Sequence, residues 1–152
     1  MLGISVHGQK LLIDPTAFAI RDGGKTGGCF LDNGSTLSYL ITSAFKALIQ
    51  FLEMYFMRFP RLVKNTSPTK ANFDLCYEWK PPLGFKDLPT LTFHFENAHL
   101  DSKPQDAFIT FQVDQNVVLC LGFFKDKVRS LIGSFRQVNY RFIHDLKGAK
   151  NS

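Results

Sequence analysis

Asp32-Asn33-Gly34-Ser35-Thr36 sets one carboxylate just before a glycine and two hydroxyls. Gly34 allows a sharp backbone turn. The hydroxyls and N–H groups that follow can orient the carboxylate and hold one of its oxygens by hydrogen bonds. The chemistry this suits is hydrolysis, with a carboxylate activating water. A freely solvated aspartate, with a pKa of about 3.9, is a poor base for that task. Two carboxylates in close approach do better because they share one proton. One then acts as base toward water while the other donates to the substrate carbonyl. The competing reading of Asp32 is a turn aspartate that satisfies its neighbours' N–H groups. No second Asp-x-Gly-Ser/Thr occurs: Asp22-Gly23-Gly24 lacks the pattern, and Asp101-Ser102-Lys103 lacks the glycine.

Other chemistries find less support. Lys25-Thr26 lies in a Gly-rich stretch, Arg21 to Gly28, but the glycine spacing is not that of a P-loop and a strand follows it. Cys29, Cys76 and Cys120 form no CxxC pair, and His7, His94, His99 and His144 form no HExxH, so no metal site is expected. Three cysteines allow one disulfide with one left over. The net charge is +5, yet the basic residues are scattered. Lys125, Lys127, Arg129, Arg136 and Arg141, interleaved with aromatics, read as a solvated face on alternate strand positions and not as a nucleic-acid surface. No apolar run reaches the roughly 18 residues of a membrane span. The first ten residues alternate like a strand and lack the charge and length of a signal peptide.

The elements that must position Asp32 can be read from pattern. With 152 residues, 45% of them hydrophobic and sixteen of them Phe, the chain suits one domain with a packed core. Residues 2–6 and 9–13 read as a hairpin around His7-Gly8. Cys29 to Asp32 reads as a strand ending at the carboxylate. Thr42 or Ser43 would cap a helix running to about Phe56. Its apolar positions Phe45, Leu48, Ile49, Leu52, Tyr55 and Phe56 form one broad face, as for a helix laid on a sheet. Residues 61–70, Pro81-Pro82 and Gly84 mark loops. Beyond Pro89 the pattern predicts strands at Thr90–Phe95, Ala107–Val113, Val117–Phe124, Ser130–Ile132 and Phe135–Leu146. Thr92 and His94, and Thr110 and Gln112, alternate with aromatics at the two-residue period of half-buried strands.

The segments "GISVHGQKLLI", "GGCFLDNGSTLSYL", "AFKAL", "FDLCY", "LPTLTFHF", "VVLCLGF" and "LIGSFRQVNYRFIHDLK" occur in one order. Together they resemble the C-terminal half of plant pepsin-type aspartic proteases of the nepenthesin-like group. They also resemble the C-terminal domain of plant xylanase inhibitors, which share the fold without proteolysis. The resemblance runs from Leu2 to about Lys147. It implies a mainly β fold: one lobe of the bilobal pepsin-like architecture, with one main helix after the catalytic turn. It makes residues 1–152 a single C-terminal lobe, with the N-terminal lobe absent.

Residue by residue, Asp32 matches the second-lobe catalytic aspartate. Asn33, Gly34, Ser35 and Thr36 form its turn, with Ser35 the hydroxyl that bonds the carboxylate. Leu131, Ile132 and Gly133 match the strand that crosses beneath the turn in a psi-shaped loop. Cys76 and Cys120 match a disulfide within the lobe, leaving Cys29 odd. The implied substrate is a peptide or protein, with no cofactor, nucleic acid or membrane partner. The implied compartment is extracellular or vacuolar.

The chain departs from the pattern in three ways. The partner aspartate and the substrate-covering flap belong to a lobe that is not here. Catalysis would therefore need that lobe or a second copy, and the isolated chain is expected to be inactive. Position 33 is Asn where the family has Ser or Thr, whose hydroxyl ties the two catalytic loops together. The change creates a glycosylation sequon, Asn33-Gly34-Ser35, beside a second at Asn65-Thr66-Ser67 in a polar loop, the more accessible acceptor by pattern. The final Gly-Phe-Ala type strand is also lacking, which should leave strand edges and apolar surface exposed. The alternative function is a non-catalytic, xylanase-inhibitor-like binding module.

Overall fold

The computed structural model describes residues 1–60, 62–66 and 72–137. β1 (Gly3–Val6) and β2 (Gln9–Lys10) form the hairpin around His7-Gly8. β2 stops at Lys10, short of Ile13, because Asp14 accepts from the Thr16 N–H and starts a 3-10 turn at Pro15–Phe18. The Gly-rich stretch holds a small ribbon of β3 (Ile20–Arg21) and β4 (Thr26–Gly27). β5 (Cys29–Asp32) ends at the carboxylate as expected, and β6 (Ser38–Ile41) leads straight into α1 (Thr42–Phe56).

The N-cap of α1 is Ile41, without a side-chain cap, so neither Thr42 nor Ser43 has that role. The Thr42 hydroxyl instead donates to the Asp126 carbonyl, 3.0 Å away, and moors the helix start to a neighbouring strand. Ala44, Phe45, Leu48, Leu52 and Phe56 are buried, while Ile49 and Tyr55 are half-buried at the margin of that face. Burying a Leu or Phe side chain contributes roughly 1.5–3 kcal/mol, so this face anchors the helix without a cap.

The second half is strand after strand: β7 (Cys76–Glu78), β8 (Leu91–Phe95), β9 (Ala98–Ser102), β10 (Phe108–Val113), β11 (Asn116–Leu121), β12 (Phe123–Asp126) and β13 (Ser130–Gly133). One helical turn, Pro104–Ala107, precedes β10. The run expected as one strand over 117–124 breaks at Gly122, whose N–H donates to Ala107. The strand expected from Phe135 begins instead as a 3-10 turn, Ser134–Arg136, and its continuation lies outside the described residues.

Three larger sheets result, with strand orders β2-β1-β8-β9, β10-β11-β7 and β12-β6-β13-β5. Helix α1 packs on β1, β6 and β12, so it joins the first and third sheets. Aromatic rings join the rest. Phe56 meets Tyr77 at 4.7 Å and Phe108 at 6.0 Å, and Phe93 meets Phe123 at 5.6 Å between ring centres. The Cys76–Cys120 disulfide links directly opposed residues of β7 and β11, with Cα atoms 4.1 Å apart. It closes a separation of 44 positions, a constraint on the unfolded chain worth roughly 3–4 kcal/mol. Cys29 is the free thiol, half-buried, and burial pushes its pKa up to about 11.

Candidate active site

Asp32 stands at the C-terminal end of β5, at the rim of the third sheet. β13 runs parallel to β5 with Leu131 beside Phe30, Ile132 beside Leu31 and Gly133 beside Asp32. On its other side β13 meets β6 antiparallel, through a single register pair, Leu131 with Tyr39. The chain from β5 thus turns at residues 33–36 and returns as β6, with β13 between the two strands. This is the psi-shaped crossing. The three residues expected to form it, Leu131, Ile132 and Gly133, lie there.

A crossing with so short a ladder needs other bonds, and buried serines provide them. The Ser38 hydroxyl accepts from the Gly133 N–H, and the Ser130 hydroxyl accepts from the Ile41 N–H, each at 3.0 Å. Both serines are fully buried. Sequence reasoning passed over them. Their signal was a small hydroxyl residue at a buried position of a short apolar strand. Past the crossing, the Ser134 and Phe135 N–H groups donate to the Ser35 and Thr36 carbonyls, at 2.7 and 3.3 Å. The turn that carries Asp32 is therefore clamped from below.

That clamp depends on Gly133. A Cβ there would lie 2.6 Å from the Ser35 carbonyl oxygen and closer still to that of Leu37. Only a residue without a side chain permits this approach of backbones.

The carboxylate is held at both oxygens. Oδ2 accepts from the Ser35 hydroxyl at 2.7 Å, and Oδ1 accepts from the Gly34 N–H at 2.8 Å. The Ser35 hydroxyl first, and the Gly34 N–H second, hold the carboxyl below the usual aspartate range. Bonds to the charged form favour that form, so Asp32 stays ionised into acid. It is a preorganised acceptor that can orient water; the lowered pKa makes it a weaker base by itself, so deprotonating that water needs a proton-bearing partner facing it. Thr36 contributes its carbonyl to the clamp, and Asn33 stands exposed at the tip.

Phe30, Leu31 and Phe135 remain 37%, 39% and 37% exposed. Arg129 lies near the Phe30 ring, 5.4 Å from its centre. A cavity of about 420 Å³ lined by Phe59, Pro60, Pro81, Pro82 and Leu83 includes none of the turn residues.

One basic residue departs from the expected solvated face. Arg136 is 1% exposed. Its Nη2 donates to the Gly122 and Ala107 carbonyls, and its guanidinium lies 4.5 Å from the Phe123 ring centre and 5.0 Å from that of Phe135. Its Nε and Nη1 are buried without partners. Burial lowers its pKa to about 10. The side chain fits because residue 122 is Gly: a Cβ there would collide with Nη2. Of the two sequon asparagines, Asn33 is exposed and Asn65 is half-buried, while Ser67 lies outside the described residues, as do Arg141 and His144. Among the described residues no group of three or more His, Cys, Asp or Glu is arranged to hold a metal ion. No helix among them is long and apolar enough to cross a membrane.

Residues 1–150 match the family described as xylanase inhibitor C-terminal. The chain is 29% identical over 144 residues to aspartic proteinase nepenthesin-1 of Nepenthes gracilis, covering 94% of this chain and 31% of that protein. It is 27% identical over 152 residues to aspartyl protease family protein 2 of Arabidopsis thaliana, covering 99% of this chain and 30% of that protein. The chain spans about a third of the length of these curated relatives. The crystal structure of edgp shares its fold, with a TM-score of 0.67 at 16% identity over 89% of this chain and 33% of that one. With its psi-shaped crossing, its Cys76–Cys120 disulfide and a family match over nearly every residue, the chain belongs to the xylanase inhibitor C-terminal family and corresponds to the C-terminal half of a plant pepsin-like aspartic protease.

Proposed function

We propose that the chain is an aspartic-endopeptidase half-domain, contributing Asp32 as one of two acids and inactive by itself. The observation that carries this is the doubly held carboxylate on a turn clamped by Gly133. A carboxylate kept ionised in acid can take a proton from water, but it cannot also protonate the substrate carbonyl. A second carboxyl that retains its proton must face it. Phe30, Leu31 and Phe135, each exposed, offer apolar surface near the turn against which a lobe bearing that group would pack. An N-terminal lobe is the partner we favour, and a second copy of this chain is the other. The substrate class is a peptide or protein, and the compartment is extracellular or vacuolar, in keeping with the disulfide.

The test is acid proteolysis at about pH 3–5, where such dyads work. The isolated chain should cleave nothing. Fused behind the preceding part of nepenthesin-1, it should gain pepstatin-sensitive cleavage that Asp32→Asn abolishes. An active fusion that survives Asp32→Asn would remove Asp32 from the mechanism. Cleavage by the isolated chain at concentrations where it dimerises would favour the second copy. Asn33→Ser in the fusion should raise activity if the missing hydroxyl weakens the grip between lobes.

A binding module without catalysis is the second reading, favoured by the description of the matching family. Failure to bind or inhibit a panel of microbial xylanases would remove it.

A further inference from the structure

We propose that Asn33 is an N-glycan acceptor, so that this chain can carry an oligosaccharide on the residue next to Asp32. Three observations meet here. Asn33-Gly34-Ser35 is a complete acceptor sequence with a small, non-proline middle residue. Asn33 and Gly34 are both exposed, at the tip of the turn. The rest of the turn is fastened inward by the Ser35 hydroxyl, the Gly34 N–H and the clamp from Ser134 and Phe135. A glycan on the outward side chain therefore displaces none of these bonds. The Cys76–Cys120 disulfide fits a chain that folds in the compartment where glycans are added.

Asn65, the acceptor favoured by sequence pattern alone, is the less exposed of the two. Its backbone N–H is bonded to the Cys76 carbonyl.

The transfer balances with one co-substrate, a polyprenyl-diphosphate-linked oligosaccharide. The Asn33 Nδ2 attacks the anomeric carbon. The N–C bond forms as the bond from that carbon to the diphosphate oxygen breaks. The polyprenyl diphosphate leaves with the electron pair, and one amide proton passes to base.

The consequence rests on the half-domain reading: a glycan at Asn33 would stand where a second lobe must pack and would keep Asp32 from any partner carboxyl. Glycosylated chain would be confined to binding roles, and unglycosylated chain would remain free to assemble.

The two sequons fall on different tryptic peptides, 26–46 and 65–70. The full chain is secreted from a plant cell host behind a cleavable leader, and intact glycopeptides of the folded, secreted protein are read by mass spectrometry. Peptide 26–46 should carry a glycan in the parent chain and in Ser35→Thr, and lose it in Asn33→Gln and Ser35→Ala. Urea midpoints of glycosylated and enzymatically deglycosylated protein should coincide, since the glycan touches no structural bond. A bare peptide 26–46 in the secreted protein overturns the assignment, whether or not peptide 65–70 is occupied. So does a glycan that persists in Ser35→Ala. Spontaneous deamidation at Asn33-Gly34 changes the mass far less than a glycan and is not confused with it. None of these readouts uses proteolytic activity, so they stand or fall apart from the half-domain reading. If glycosylated fusion protein cleaves as fast as its Asn33→Gln variant, the blocking consequence alone falls.

Discussion

Asp32 and Arg136 are opposite charges on two turns that are hydrogen-bonded to each other. They are treated in opposite ways. Asp32 lies at the surface with both carboxylate oxygens served by donors three residues away or fewer. Arg136 lies in the core with two donor atoms unserved, bonded to carbonyl oxygens and set against aromatic faces, with Asp106 acting on its charge. A surface charge with local donors is inexpensive and remains available to other molecules. A buried charge without full pairing costs stability and is available to nothing. The contrast separates a group placed for chemistry from one placed for architecture. The two are coupled all the same, because the 134–136 turn that seats Arg136 also clamps Ser35 and Thr36.

The hardest way to break this arrangement is at the clamp. Gly133→Ala should destabilise the chain by about 3 kcal/mol, an overpacking cost at the upper end because the obstacles are backbone atoms. Urea unfolding measures it. A loss under about 1 kcal/mol would mean that the turn can move aside, and that Asp32 is held less firmly than the geometry indicates.

A smaller effect tests the buried end. Gly122→Ala should cost about 1–3 kcal/mol, since the new methyl collides with the Arg136 guanidinium. Arg136→Met should be neutral or stabilising by about 1 kcal/mol, as replacing poorly paired buried charges with apolar side chains often is. The double variant should recover most of the Gly122→Ala loss, a coupling that a thermodynamic cycle reads directly. Strict additivity would show that the two residues do not share the space in solution. A large loss in Arg136→Met would show that the carbonyl bonds outweigh the burial cost.

The smallest effect sharpens the exposed end. Ser35→Ala removes the larger cause of the lowered Asp32 pKa, so the carboxyl should titrate closer to its ordinary 3.8. The sign for stability follows. With the folded pKa below the unfolded one, the contribution of Asp32 is complete above the unfolded value. It is lost as pH falls through the folded value. Ser35→Ala should therefore lower stability slightly at neutral pH, leave it unchanged below the folded pKa, and so flatten the acid limb of the stability curve. An unmoved carboxyl resonance in an NMR titration would assign the shift to the Gly34 N–H instead.

Local pattern carried a good deal of this. The β5 strand and its terminal carboxylate, the β1–β2 hairpin, α1, and the alternation along β8 and β10 all follow from a period or a turn residue within a few positions. Among the strands that pattern missed, the two-residue β3 and β4 lie in the Gly-rich stretch, and β6, β7 and β9 are short, each beside a turn or a polar residue that blurs alternation. β9 pairs with its neighbour β8, but the partners of β6 and β7 lie far along the chain. β6 pairs with β12 and β13, and β7 with β11. Nothing local announces such a partner. The helix cap was misread for a related reason: Thr42 spends its hydroxyl on Asp126, 84 positions away.

By itself the sequence determined the carboxylate turn, the chemistry it suits and, through an ordered set of segments, the lineage. These rest on residue identity and short spacing, which a linear string contains. The resemblance already named Ser35 and Gly133, but tertiary structure alone decided how the turn is supported. Gly133 had to be small because two carbonyls approach it, Ser38 and Ser130 had to bear hydroxyls because the crossing lacks ladder bonds, and Arg136 went inward because Gly122 left room. It also decided that Asn33 faces outward. Each is a fact about which atoms meet across long stretches of chain, and only the packed fold brings those atoms together.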